Sequence, residues 1–140
     1  MEGYLLDSDI LIHFFRDKFL IKEKIDSVGV ENCFVSEITI AELLYGASYS
    51  TQPDRHFAEV ELTREKFKVL PISKVLLIYA NERARLRKAG TPIDSNDIFI
   101  AATALRYDLV LVSGNTKHMS KIVGLGLEDW TKAEHNEYID

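Results

Sequence analysis

Short apolar runs of strand length alternate with longer stretches of helical period along this 140-residue sequence, and that alternation leaves few folds open. Tyr4-Leu5-Leu6 reads as a first strand, followed by Ser8 as the N-cap of a helix through Ile10, Leu11, Phe14 and Phe15. A second helix is expected from about Phe19 to Val28, closed by Gly29, and Cys33 to Ser36 reads as a second strand. Helical spacing then covers Thr39 to Tyr45, with Gly46 and the stretch Ser48 to Pro53 read as a turn or loop. Asp54 to Lys68 forms the next helix, with Phe57, Val60, Leu62 and Phe67 as its apolar positions. Val69 to Ile72 is a third strand that Pro71 assigns to an edge or a strand end, and Ser73 caps a helix from Lys74 to Ala89. After Thr91-Pro92 come a helix from about Asn96 to Tyr107, the apolar strand Leu109 to Val112, and a last strand near Leu125 to Leu127. Strands separated by helices need crossovers, which place helices on both faces of a parallel sheet. The expected fold is therefore α/β: a three-layer α/β/α sandwich with a central, mainly parallel sheet, as a single domain over residues 1–140.

Composition narrows the function classes. The one cysteine, Cys33, lies in an apolar stretch and has no partner for an internal bridge, which suits a reducing compartment. Glu2, Asp7 and Asp9 near the N-terminus do not fit an export signal. No run approaches the roughly 18 consecutive apolar residues of a membrane span, so the expected location is the cytoplasm, with no membrane contact. A net charge of −5 argues against tight nucleic-acid binding by charge alone. It is compatible with an enzyme that concentrates acid at one site and keeps base elsewhere. Two basic runs exist, Arg83-Arg85-Arg87-Lys88 and Arg64-Lys66-Lys68, and the plain reading of both is a solvated helix face.

In an open parallel sheet, ligands bind beyond the carboxyl ends of the strands, where the strand order reverses. The residues following each strand are thus the ones that matter. Asp7, Ser8 and Asp9 follow the first strand, and Glu42 lies on the helix after the second. Asp94 and Asp97 open the helix leading into the fourth strand, and Ser113, Gly114, Asn115 and Thr116 follow that strand. Two carboxylates about 4 Å apart repel by on the order of 4 kcal/mol at an effective dielectric near 20, so a crowded set calls for a cation. Mg2+ and Mn2+ suit such a set, because they take oxygen ligands, keep several waters and bind through one or two carboxylates plus substrate phosphate. Such an ion activates water and screens charge that builds on phosphate oxygens. His13, His56, His118 and His135 are scattered and form no His-Glu-x-x-His motif. Taken singly, each residue has an ordinary explanation: Asp7 as a helix cap, Glu42 as a surface glutamate, Asp94 and Asp97 as first-turn acids, Asn115 as a turn residue. The weight lies in four such positions meeting at one end of one sheet.

These segments resemble the PIN-domain ribonucleases, and among them the toxin halves of VapBC-type toxin–antitoxin pairs. Tyr4 to Ile12 is similar to the family's opening strand with its first aspartate, and Ser36 to Gly46 to the segment bearing its glutamate. Asp97 to Ala104 resembles the segment with the next aspartate, Val112 to Met119 stands where the last polar site residue falls, and Trp130 fits the usual chain ending. The resemblance implies that Asp7 and Asp97 coordinate Mg2+ or Mn2+. Glu42 would position or deprotonate the attacking water, and Asn115 would hold waters or phosphate with help from Ser113. It further implies an endoribonuclease acting on tRNA or another structured RNA, a homodimer, and inhibition by a small antitoxin whose tail fills the active-site groove. Many relatives carry aspartate where Asn115 stands, so one negative charge is missing; Ser8 and Asp94 are supporting candidates.

Two other classes compete. A receiver-type signalling module also gathers acids at the carboxyl end of a parallel sheet, but Val69 to Ser73 offers no phospho-accepting aspartate and Leu125 to Asp129 no lysine. A catalytically weak PIN-like module that binds RNA or a partner would tolerate Asp97→Ala with its RNA affinity intact and show no metal-dependent product.

Overall fold

The computed structural model describes residues 2–132, so His135 and the end of the expected 1–140 domain lie outside the described residues. In chain order the elements are β1 (Tyr4–Leu6), α1 (Ser8–Phe15), α2 (Ile21–Val28), β2 (Cys33–Ser36), α3 (Glu37–Tyr49), α4 (Pro53–Lys66) and β3 (Lys68–Leu70). There follow α5 (Leu76–Lys88), α6 (Ser95–Arg106), β4 (Val110–Val112), α7 (Thr116–Met119) and β5 (Leu127–Glu128). The strands form one sheet in the order β3-β2-β1-β4-β5, and every pairing is parallel. Tyr4 lies opposite both Cys33 and Val110, which puts β1 at the centre.

Alternation along the strands builds two cores, because successive side chains leave a strand on opposite faces. Leu6, Val35 and Val112 point to one side and pack with Ile10, Ile25 and Ile40. Leu5 and Leu111 point to the other and pack with Leu86, Ile98 and Ile100. The fold is thus the expected three-layer α/β/α arrangement. Among the described residues, no helix is long and apolar enough to cross a membrane.

Several element ends differ from the sequence expectations. Asp7, not Ser8, caps α1, its carboxylate accepting the Ser8 amide. The second helix starts at Ile21 because Phe19 and Leu20 hold left-handed φ values of 57° and 55°. Helix α3 runs straight through Gly46 and Ser48 to Tyr49, where a turn was expected; Gly46 keeps ordinary helical backbone, and Ala47 is buried. In α4 the buried positions are Val60 and Thr63, while Phe57 and Leu62 are exposed. Helix α5 begins at Leu76 behind Val75, which is fully buried and holds non-helical backbone, so Ser73 is not its cap. Strand β3 is indeed an edge strand and stops before Pro71. The last strand lies slightly later than expected, at Leu127–Glu128, and the short helix α7 had no counterpart in the sequence reading.

Candidate active site

The chain lays β2 and β3 on one side of β1 and then returns to place β4 on the other, so the strand order reverses between β1 and β4. A crevice opens at the carboxyl ends of such a strand pair. The residue following β1 is Asp7, 5% exposed, and the residue following β4 is Ser113, fully buried. The Asp7 amide donates to the Val112 carbonyl at 2.9 Å, which fixes the two strand ends together. The Ser113 hydroxyl donates to Asp7 Oδ2 at 2.8 Å and accepts the Asn115 amide at 2.9 Å. The Asn115 side-chain amide in turn donates to Asp97 Oδ2 at 3.1 Å. One hydrogen-bonded chain, Asp7–Ser113–Asn115–Asp97, therefore joins three remote segments.

Glu42 reaches the same region from α3, which Ser36 caps by accepting the Ile38 amide. Its Oε2 accepts from the Asn96 side chain at 3.4 Å, and the Ser8 hydroxyl lies close enough to favour the charged form. Its other oxygen, Oε1, is buried and takes no hydrogen bond from the described residues. Asp94 does what its position alone suggested: it caps α6 by accepting the Asn96 amide at 3.1 Å. Its negative charge raises the pKa of both Asp97 and Glu42.

Three participants had no role in the sequence reading, although Asp9 was placed after β1. Asp9 accepts the Gly114 amide on Oδ2 at 2.8 Å and the Ile10 amide on Oδ1 at 2.9 Å, so it straps the loop carrying Ser113 and Asn115 to the start of α1. A Cβ on Gly114 would stand 2.6 Å from Asp9 Oδ2, so any larger residue there would push the Asp9 carboxylate off the Gly114 amide. Asn96 and His118 are the others, the first bonded to Glu42 and the second lowering the pKa of Asp97 by its charge. Asp9 had a readable signal, since it lies two residues beyond Asp7 after the same strand. Asn96 and His118 had none beyond sharing segments with Asp97 and Asn115.

Four acids in this region bind protons more tightly than usual. Burial, and then the charge of Asp9, push the Asp7 carboxyl up to about 7, against the pull of the Ser113 hydroxyl and the Ser8 amide. Burial also raises Asp9, Glu42 and Asp97. The charge of Asp9 raises Asp97, and Asp97 adds to the pKa of Asp7 and of Glu42. Such a set gains from any positive charge placed among it.

Among the described residues no three of His, Cys, Asp and Glu close into a ready metal cage. Mg2+ and Mn2+ do not need one, because one or two carboxylates, an amide oxygen and waters complete their shells. The donor set fits: it is all oxygen, its acids are raised, and Glu42 Oε1 is sealed without a partner.

Known proteins match the chain in sequence and in fold. The PIN domain profile matches residues 4–125. Ribonuclease VapC1 of Haemophilus influenzae is 35% identical over 132 residues, spanning 92% of this chain and 98% of that protein. The tRNA(fMet)-specific endonuclease VapC of Salmonella typhimurium is 33% identical, spanning 93% of this chain and 99% of that protein. In the crystal structure of DNA-bound VapBC from Salmonella typhimurium, a chain 31% identical superposes with a TM-score of 0.84, over 93% of this chain and 99% of that one. With its parallel sheet, its β1/β4 crevice and this extent of identity, the chain belongs to the PIN-domain family, among its VapC ribonucleases.

Proposed function

We propose that this protein is a Mg2+- or Mn2+-dependent endoribonuclease, the toxin of a toxin–antitoxin pair, acting on tRNA or another structured RNA. The observation that carries the reading is the chain Asp7–Ser113–Asn115–Asp97, which aligns two acids across the crevice through polar groups alone. Asp7 and Asp97 hold the cation. Glu42, half-buried at the edge of this cluster, orients the attacking water and takes its proton. Asn115 and Ser113 position Asp97 and Asp7, and Asn115 also meets the phosphate. When bound, the cation supplies charge that offsets the developing negative charge on the phosphate and eases deprotonation of water. Ser8 and Asp94 act through Glu42 and Asp97 rather than on substrate.

The tRNA assignment is supported by the relative named a tRNA(fMet)-specific endonuclease, and the antitoxin by the VapBC complexes that this fold matches. In this reading the protein works in the cytoplasm as a homodimer of single PIN domains spanning 1–140. Asn115, which brings no negative charge to the site, favours a second reading in which the domain binds RNA or a partner and cuts weakly. One experiment separates them: purified protein is incubated with total tRNA and Mg2+ or Mn2+, with and without EDTA. Discrete fragments that vanish on chelation support the nuclease. Undiminished cutting in EDTA refutes the cation's role, and RNA binding without fragments in either metal supports the second reading.

A further inference from the structure

We propose that the cavity beside Glu42 binds a nucleobase of the RNA substrate next to the scissile phosphate, and that Gly46 keeps this cavity open. The inference rests on the nuclease reading and deepens it. The cavity, about 250 Å3, lies between α1, α3 and α4, and Glu42 belongs to its wall as well as to the site above. Whatever fills it is therefore a direct neighbour of the group that handles the attacking water.

Gly46 stands four residues after Glu42 on α3 and lines the same cavity. Glycine inside a helix is less favourable than alanine, so it calls for a reason. Neither usual reason applies. Its φ is not in the left-handed region, and a Cβ there would meet no heavy atom within 4 Å. With no backbone or contact reason for glycine, the missing side chain leaves this part of the cavity wall open.

The lining suits a base better than an ion or a purely apolar group. Phe15, Ile12, Leu43 and Val60 offer an apolar wall with an aromatic ring for stacking. The His56 ring, bonded through Nδ1 to Glu59 at 2.8 Å, offers hydrogen-bonding atoms for a base edge. Arg16, exposed at the rim, has no ion pair or side-chain hydrogen bond among the described residues and is available to a phosphate. Unstacked RNA bases are recognised by this combination of a stacking surface, edge hydrogen bonds and a cation on the backbone.

The test compares wild type, Gly46→Ala and Gly46→Leu. Alanine should raise Tm, by on the order of 3 °C, since it mends the helix. Leucine should fill the cavity, raise KM for a cleaved RNA by roughly tenfold, the loss expected for one stacked base, and blur the base preference beside the cut. Mn2+ affinity, read by electron paramagnetic resonance, should stay within about twofold because the acids are untouched. Independently, nucleoside 5′-monophosphates titrated into wild type should shift the NMR signals of Ile12, Phe15 and Leu43; unmoved signals overturn the proposal even if Gly46→Leu fails to fold. So does a folded Gly46→Leu with KM and cut-site preference unchanged. A variant that loses only the co-expressed antitoxin, with RNA kinetics intact, marks the cavity as a protein-binding site and overturns it too. A wild type that cuts no RNA refutes the nuclease reading instead, a different result from a cutting enzyme indifferent to Gly46.

Discussion

Replacing Asp7 by asparagine should stabilise the metal-free protein at alkaline pH while abolishing its activity. Asp7 is 5% exposed, and burial followed by the Asp9 charge moves its carboxyl from the ordinary 3.8 up to about 7. The folded state thus holds this proton more tightly than the unfolded chain does. The group's stabilising contribution is complete below the unfolded value, near pH 4, and is lost as pH rises through about 7. Moving a carboxyl from 3.8 to about 7 is worth roughly 4 kcal/mol, at about 1.4 kcal/mol per pH unit. Asparagine is neutral throughout and caps a helix as well as aspartate, so it can keep the bond to the Ser8 amide, now 2.8 Å. In EDTA at pH 8, urea unfolding should place the variant ahead by on the order of 2–4 kcal/mol, the advantage falling below about 1 kcal/mol near pH 4. Asp9, Glu42 and Asp97, also raised, should leave the variant a residual slope. Saturating Mg2+ should largely erase that advantage, because a cation at 100 times its Kd adds about 2.7 kcal/mol to wild type alone. A variant no more stable than wild type at pH 8 in EDTA would refute the description of Asp7 as a crowded, desolvated acid.

Other perturbations test the surroundings. Asp9→Ala, which frees the Gly114 amide, should slow RNA cleavage by on the order of 10- to 100-fold, and Asp9→Asn, which keeps an acceptor, should recover most of that. Gly114→Ala should be harmful in wild type but nearly silent once Asp9 is alanine, since the 2.6 Å clash is then gone; additive effects in this double-mutant cycle would count against the strap. Ser113→Ala removes a hydroxyl that holds the Asp7 carboxyl down, so the acidic limb of the kcat/KM–pH profile should move to higher pH, and an unmoved limb would contradict that coupling. Trp130, 2% exposed and 5.4 Å from the Tyr4 ring, should cost about 3–5 kcal/mol when cut to alanine. Urea melts followed by circular dichroism measure this, and a loss under about 1 kcal/mol would deny Trp130 its place in the core.

The layers of this fold were legible in the sequence because each depends on local pattern. Val110–Val112 and Cys33–Ser36 are strands covered on both faces, and such runs announce themselves. Gly46 misled because glycine ends a helix only when it takes a left-handed φ, and tertiary burial of Ala47 carried α3 past it. Phe57 and Leu62 matched helical period yet face solvent, since period alone cannot say which stripe the neighbours cover. At the site, the segments carrying Asp7, Glu42, Asp97 and Asn115 could be named from strand ends. The connections between them could not. That Ser113 bridges Asp7 to Asn115, or that Asp9 grips the Gly114 amide, depends on the β1–β4 pairing, which no local pattern encodes. Asp7 also shows that capping a helix and joining the acid cluster are not alternatives, for one carboxylate caps α1 with Oδ1 and meets Ser113 with Oδ2.

The central claim is that one hard cation sits between acids remote in sequence, and locating that cation tests it most directly. Crystals of the full chain soaked in Mn2+ and measured at the manganese absorption edge should show an anomalous peak beyond the ends of β1 and β4. That peak should lie about 2.0–2.2 Å from carboxylate oxygens of Asp7 or Asp97. A peak elsewhere on the surface, or none in crystals of protein that cleaves RNA in Mn2+, would contradict it.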